Sequence, residues 1–270
     1  MEFVRAHGLG RPHSAPPTEA VPTKEGFLVH VDPTDYAVGH TISVTGTYEP
    51  EVSATVRSLL RPGATFVDAG ANIGWFSLLA AGLVGPKGRV VAVEPNPLNC
   101  DLARRSAEAN GFANIEVFTV ALSDRARTVA LETDGSNGRI VPIDGPPPQP
   151  VRASFVVAAH TLDLLLKDAD VKHVDVVKLD VEGAEPLVLT GAPEMLARDR
   201  PALVSEFYPL ALDSSPWGGA DAYLAQLRQL GYRLSAIGFG AGPDDDQDDA
   251  TLLSLARDGK GQIDLLAKPR

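Results

Sequence analysis

Apolar and polar residues change their spacing several times along this chain, and each change marks an element. "GFLVHVDPTDYAVGHTIS", from Gly26, alternates in the manner of short strands, and Ser53 to Leu60 has helical spacing that stops at Arg61-Pro62-Gly63. Apolar runs and amphipathic stretches then take turns: Thr65 to Ala69 predicts a strand, Trp75 to Leu83 a helix, Arg89 to Glu94 a strand, Leu98 to Asn110 a helix and Ile115 to Leu122 a strand. This alternation predicts an α/β protein with a parallel sheet wrapped by helices. "ETDGSNGRIVPIDGPPPQPVRAS" is too polar and proline-broken for a crossover helix, and predicts an insertion at about residues 133–154, lying over the sheet edge like a lid. The pattern resumes with a strand at Asp175 to Val181, a helix at Ala184 to Leu189, a strand at Ala202 to Phe207, a helix from Gly219 to Leu230, and strands near Tyr232 to Ile237 and Gln262 to Ala267. Between the last two, "GPDDDQDD" (Gly242 to Asp249) reads as a solvated acidic turn.

Three parts follow. Residues 1–25, rich in Pro, Gly and His without periodicity, predict a flexible arm; residues 26–62 predict a cap of strands and a helix; residues 63–270 predict the main domain.

Composition narrows the partners. With 44% hydrophobic and 22% charged residues the chain reads as globular, with no apolar run of membrane-spanning length and no signal-peptide core, so a cytoplasmic protein without a membrane partner is expected. A net charge of −11 argues against a protein that grips nucleic acid by its phosphates and favours a small-molecule acceptor. The single cysteine, Cys100, reads as a reduced thiol on a helix. Whether protomers pair into a homo-oligomer over the cleft stays open.

The chemistry sits at strand ends, because ligands of open parallel sheets bind beyond the carboxyl ends of the strands. In "VDAGANIGWF", Gly70 permits a sharp turn and Gly74 a close helix start. Asn72 stands where a dinucleotide fingerprint has its middle glycine, and Asp68 would bring negative charge towards a phosphate. Both disfavour NAD and both suit a cationic sulfonium with an amino-acid tail, as in S-adenosylmethionine. Glu94, twenty residues beyond Gly74, is placed to accept from ribose hydroxyls, and Asn96 lies where the chain turns towards the adenine. In "VALSDR", Ala121 offers backbone groups to the adenine and Ser123 or Asp124 a side chain. In "DVVKLDVEGAEPL", Lys178, Asp180 and Glu182 share one parity, whereas Glu185-Pro186 reads as an ordinary first helical turn. Glu206 ends the next strand, an acid in an apolar run, and converges with Asp180 on the reacting end of the cofactor.

These residues resemble the FkbM family of S-adenosylmethionine-dependent methyltransferases, through "YEPE", "FVDAGANIGWFSLLAA", "VVAVEPNP", the Asn110-Gly111 helix end, "VALSD", "VVKLDVEGAE" and "LVSEF", in family order over about residues 46–208. The resemblance implies a class I methyltransferase fold, a Rossmann-like seven-stranded sheet with helices on both faces and an antiparallel last strand. It implies O-methylation of a hydroxyl on a natural product or sugar-bearing substrate, and it suggests Glu49 near the cofactor's amino group. An alcohol acceptor calls for a carboxylate base, and Asp180 or Glu206 is expected to fill that role. A divalent ion held by these two carboxylates is less favoured, since no obvious third ligand follows Glu206. The histidines, including His30 and His40 in the front piece, read as surface or locally satisfied groups. Alternatives are an N-methyltransferase, a nicotinamide-dependent oxidoreductase and a nucleotide-binding module without catalysis.

Overall fold

A computed structural model describes residues 18–142, 155–259 and 261–270. The first seventeen residues of the expected arm and residues 143–154 of the expected insertion lie outside the described residues.

The chain opens with an antiparallel hairpin, β1 (Glu19–Pro22) and β2 (Leu28–Val31), so the end of the segment expected to be a loose arm is a strand, held by register pairs from Glu19 with Val31 to Pro22 with Leu28. Helix α1 (Gly39–Thr45) stands where alternation predicted strands. The Asp35 carboxylate accepts from the N–H groups of Val38 and Gly39 and so stabilises that helix start against the strand pattern. Helix α2 (Pro50–Leu59) completes the cap.

The main domain contains β3 (Thr65–Ala69), α3 (Trp75–Val84), β4 (Arg89–Val93), α4 (Pro97–Ala109) and β5 (Ile115–Phe118). A second sheet follows, made of β6 (Ala121–Leu122), β7 (Arg127–Asp134), β8 (Asn137–Pro142) and β9 (Phe155–His160). The chain then returns through α5 (Leu162–Asp168), β10 (Val176–Leu179), α6 (Glu185–Thr190), α7 (Pro193–Asp199), β11 (Ala202–Phe207), α8 (Pro209–Ser214), α9 (Ala220–Gln229), β12 (Tyr232–Ala236), α10 (Asp249–Asp258) and β13 (Ile263–Pro269).

The main sheet has seven strands in the order β12-β13-β11-β10-β3-β4-β5, with β13 antiparallel to both neighbours and the other adjacent pairs parallel. This is the architecture that the family resemblance implied. Strand alternation splits the core into two layers. Val67, Val91, Val177, Leu203 and Leu265 face a layer closed by α5, α6, α7 and α9. Phe66, Val90, Val176, Val204 and Leu266 face a second layer closed by the cap, α2 and α3.

Several sequence expectations change. The strand expected from Ile115 to Leu122 breaks at residues 119–120, because its first half pairs with β4 and its second half leaves to pair with β9. The departure from the main sheet runs from Ala121 to His160 and includes a regular hairpin, β7–β8, whose register closes on Asp134 with Asn137 around Gly135-Ser136. Its proline content hid an alternating pair of strands on either side of a turn. The acidic stretch Gly242 to Asp249 is a tethered loop rather than a free one. Asp246 bonds to Arg228 and Arg270, Asp244 pairs with Lys268, and Asp248 caps α10 by accepting from Thr251 N–H. Among the described residues no helix is long and apolar enough to cross a membrane.

Candidate active site

At the carboxyl ends of β3, β4, β10 and β11 the two halves of the sheet part around a cavity of about 250 Å³. One end is made by Gly70 to Ile73, Glu94-Pro95 and Val120 to Leu122, roofed by Val38 and by the hairpin residues Ser136 to Gly138 and Ile140. The other end holds Tyr48, Glu49, Lys178, Asp180, Glu182, Glu206, Tyr208 and Gln262.

Gly70 turns the chain out of β3 with φ 84°, and the space beside it is already taken: an added Cβ would lie 1.7 Å from the Asp180 carbonyl oxygen. Glycine is therefore demanded by a close approach of β3 to β10 as well as by the turn. Asn72 follows in the left-handed region at φ 50°, a conformation Asn tolerates because its short side chain bonds locally. Its Oδ1 accepts from Ile73 N–H at 2.8 Å, and its Nδ2 donates to Asn137 Oδ1 of the hairpin at 3.3 Å. Gly74 faces away from the cavity, against Ala103 of α4, so it serves helix packing.

Glu94 closes β4. Its carboxylate accepts from the N–H groups of Asn72 at 2.9 Å and Asn96 at 2.8 Å, yet burial outweighs these bonds and pushes its pKa up to about 7. It binds the two loops together and lines the cavity. Asn96 does not line it: the side chain caps α4, its Oδ1 accepting from Leu98 N–H at 3.0 Å. Ser123 is likewise behind the wall, its hydroxyl accepting from Arg127 and donating to Asp124, whereas Ala121 is part of the lining.

The polar end follows from sheet register. Lys178 is level with Asp68 on β3 and with Val204 on β11. One pleat onward, Asp180 directly follows β10 and Glu206 is the penultimate residue of β11, level with Asp264 of antiparallel β13. All these charges lie on the parity that faces α2, α3 and the cap. Lys178, 3% exposed, donates to Asp180 Oδ2 at 2.6 Å and stands 4.6 Å from the centre of the Phe76 ring. Burial opposes its charge, but Asp180, Glu49 and Asp68 together raise its pKa well above the usual lysine value. Asp68 is buried outside the cavity lining, with Oδ2 accepting from Ser77 at 2.6 Å and Oδ1 without a partner.

Glu49 reaches the cavity from the N-terminus of α2, on a turn with φ 42°. The turn is anchored by a chain of bonds in which Trp75 Nε1 donates to Ser53 Oγ at 3.0 Å and Ser53 Oγ donates to the Tyr48 carbonyl at 2.9 Å. Glu49 Oε2 and Glu206 Oε2 are both buried without a hydrogen-bond partner. Burial raises both pKa values; at Glu206 the charges of Asp180, Glu182 and Glu185 raise it further. Glu182 and Asp264 are pushed up to about 7, chiefly by burial. Glu185 keeps the plain role its position suggested, accepting from the N–H groups of Val181 and Gly183.

The structure thus brings Glu49, Gly70, Asn72, Glu94, Ala121, Asp180 and Glu206 together around one cavity and sets Asp68, Gly74, Asn96 and Ser123 behind it. Glu182, Asp264, Tyr208, Gln262 and the hairpin tip were not singled out as site residues. Glu182 shares the parity of Asp180, and Asp264 needed only the antiparallel register of β13. The hairpin gave no local sign of where it would dock. Among the described residues no group of three or more His, Cys, Asp or Glu is arranged to hold a metal ion.

A 215-residue stretch is 29% identical to part of the AMB antimetabolite synthetase AmbE of Pseudomonas aeruginosa, covering 66% of this chain and 10% of that protein. Over 132 residues the chain is 30% identical to the protein-L-isoaspartate O-methyltransferase of Aeropyrum pernix, covering 48% of each. The chain thus spans a tenth of the first relative and about half of the second. Among solved structures, the methyltransferase FkbM of Methylobacillus flagellatus is similar with a TM-score of 0.48 and 20% identity, over 78% of this chain and 45% of that one. The model of the methyltransferase FkbM domain matches residues 68–234, from the acid before the glycine turn into β12, and so takes in more than half of the chain and most of the cavity wall. On that match the chain belongs to the FkbM methyltransferase family.

Proposed function

We propose that the cavity binds S-adenosylmethionine and that the chain uses it to methylate a hydroxyl oxygen of a small natural-product or sugar-bearing acceptor. When bound, that cofactor supplies a methyl carbon made electrophilic by its sulfonium. The donor set fits such a cation: Glu94 offers a carboxylate at the ribose position, Glu49 an unpartnered carboxylate oxygen for an ammonium, and Gly70 to Asn72 a turn with no room for larger side chains. Val120 to Leu122 and Ile140 offer an apolar slot for a base. The similarity to part of an antimetabolite synthetase supports a small acceptor, and that to an isoaspartate O-methyltransferase supports oxygen as the methylated atom.

The observation that carries the reading is Glu206 Oε2, buried and unpartnered beside the Lys178–Asp180 pair. Asp180 already has an ammonium on one oxygen, whereas Glu206 has a free oxygen for the acceptor's proton, as suits a general base. Glu206 would take the acceptor's hydroxyl proton, and the bound cofactor would supply the methyl group by loss of its carbon–sulfur bond, leaving a neutral thioether. Glu206→Gln should lower turnover by about 10²- to 10⁴-fold while changing cofactor affinity little. Release of S-adenosylhomocysteine with a panel of hydroxylated acceptors and their amine analogues tests this. Turnover confined to the amines, or undiminished in Glu206→Gln, rejects it.

A further inference from the structure

Strand β10 reads Val176, Val177, Lys178, Leu179, and its one charged residue is almost wholly buried. A buried lysine costs more than the apolar residue that would fill the same space, so its retention calls for a reason beyond packing. The surroundings supply one. Asp68 faces it from β3, Glu49 and Tyr48 from the start of α2, Asp180 and Glu182 from the end of its own strand, Glu206 from β11 and Asp264 from β13. Lys178 is the one cation among the described residues that line the cavity. Its ammonium meets Asp180 at 2.6 Å, and the Phe76 ring bounds it at 4.6 Å.

We propose that Lys178 is the positioning residue of this site: buried and ion-paired to Asp180, its ammonium holds that carboxylate in place and is the shared counter-charge of the carboxylates around it, among them Glu206, which takes the acceptor's proton. The proposal rests on the O-methylation reading for its last step only. Lys178 touches neither proton donor nor acceptor in that step; it acts through the carboxylates around it. Without it, Glu206, Glu49 and Asp264 each lose the charge that lowers their pKa. They would then hold protons to higher pH, and a cationic cofactor would have to displace those protons on binding.

Two variants and two readouts test this. In Lys178→Met, of similar length without charge, the acid limb of the kcat/KM profile should move upward by about one pH unit or more. Calorimetry of S-adenosylmethionine in phosphate and Tris buffers should show about half a proton or more additional release on binding than in the wild type. Lys178→Arg, which keeps the charge, should show the wild-type limb and release. A Lys178→Met protein that only melts earlier, with limb and proton release unchanged, overturns the proposal and leaves a structural lysine. Should Lys178→Met fail to fold, Asp180→Asn replaces it: removing the negative neighbour of Glu206 should move the limb downward, and an unmoved limb overturns the proposal. The calorimetric arm needs no acceptor, so a protein that methylates no hydroxyl still reports on Lys178, and the two failures are told apart.

Discussion

Replacing Gly70 by alanine should separate two strands and, with them, the two halves of the site. The added Cβ would stand 1.7 Å from the Asp180 carbonyl oxygen and 2.7 Å from its carbon. Ordinary contact needs about 3.5 Å, so β3 and β10 would have to part by about 2 Å at their carboxyl ends. The bond from Asp180 N–H to the Ala69 carbonyl, 3.0 Å long, lies one residue away and would be lost or stretched. A left-handed alanine costs about 1–2 kcal/mol, the lost bond about 1 and the forced overlap about 1–3, or about 3–6 kcal/mol together. That is a large share of the roughly 5–15 kcal/mol by which domains are stable. Gly111→Ala is the control, with φ 67° and open space around it, and should show the conformational cost alone, about 1 kcal/mol. Urea unfolding followed by the fluorescence of buried Trp75 measures both, and calorimetry with S-adenosylmethionine asks whether the site survives. Equal losses in the two variants would refute the claim that a close approach, and not only a turn, demands glycine at residue 70.

Further expectations come from the buried charges. Glu94, Glu182, Glu185 and Asp264 have folded pKa values near 7, above their unfolded values of about 4, so the folded state binds more protons in that window. Stability should fall as pH rises from about 4.5 through 7 and level off above it, with fully buried Glu94 alone worth about 3 kcal/mol; a urea midpoint higher at pH 8 than at pH 5.5 would contradict this. Ser77→Ala removes the hydroxyl that donates to buried Asp68 Oδ2, which should cost about 1–3 kcal/mol in the same unfolding assay. Because the Lys178 ammonium already stands on Asp180 Oδ2, methyl transfer should persist after exhaustive chelation; loss on chelation and recovery with a divalent ion would restore the metal reading.

Local pattern carried the main sheet well where one apolar run forms one strand of one sheet. Ala202 to Phe207 is a strand over the residues that alternation predicts, and β3, β4 and β10 lie within the predicted runs. It failed where one apolar run is divided between two sheets. Residues 115–122 look continuous, but β6 is claimed by β9, almost forty residues later. Helix α10 was missed because its acidic approach reads as solvent loop until Arg228 and Arg270 are seen to hold it. At the site, acids at strand ends were visible as such, yet sequence could not tell a lining carboxylate from a capping amide. Glu94 and Asn96 are two residues apart; one lines the cavity and the other turns back to cap α4. Likewise Asp68 and Asp180 both stand near the ends of apolar runs, but the register of β3 with β10 sets Asp68 level with Lys178, one pleat below Asp180, and so inside the wall.

Strand β13 enters the sheet between β11 and β12, antiparallel to both. Until residues 263–269 arrive, β12 has no neighbour in the sheet, and Glu206 lacks the strand that flanks it at Asp264. The order of assembly is thereby constrained: the parallel strands can gather early, but the wall behind Glu206 closes only when the antiparallel strand slots in. Loop closure over such separations is slow, so an interval is expected in which the end of the cavity at Gly70 and Glu94 is formed and the end at Glu206 is still open.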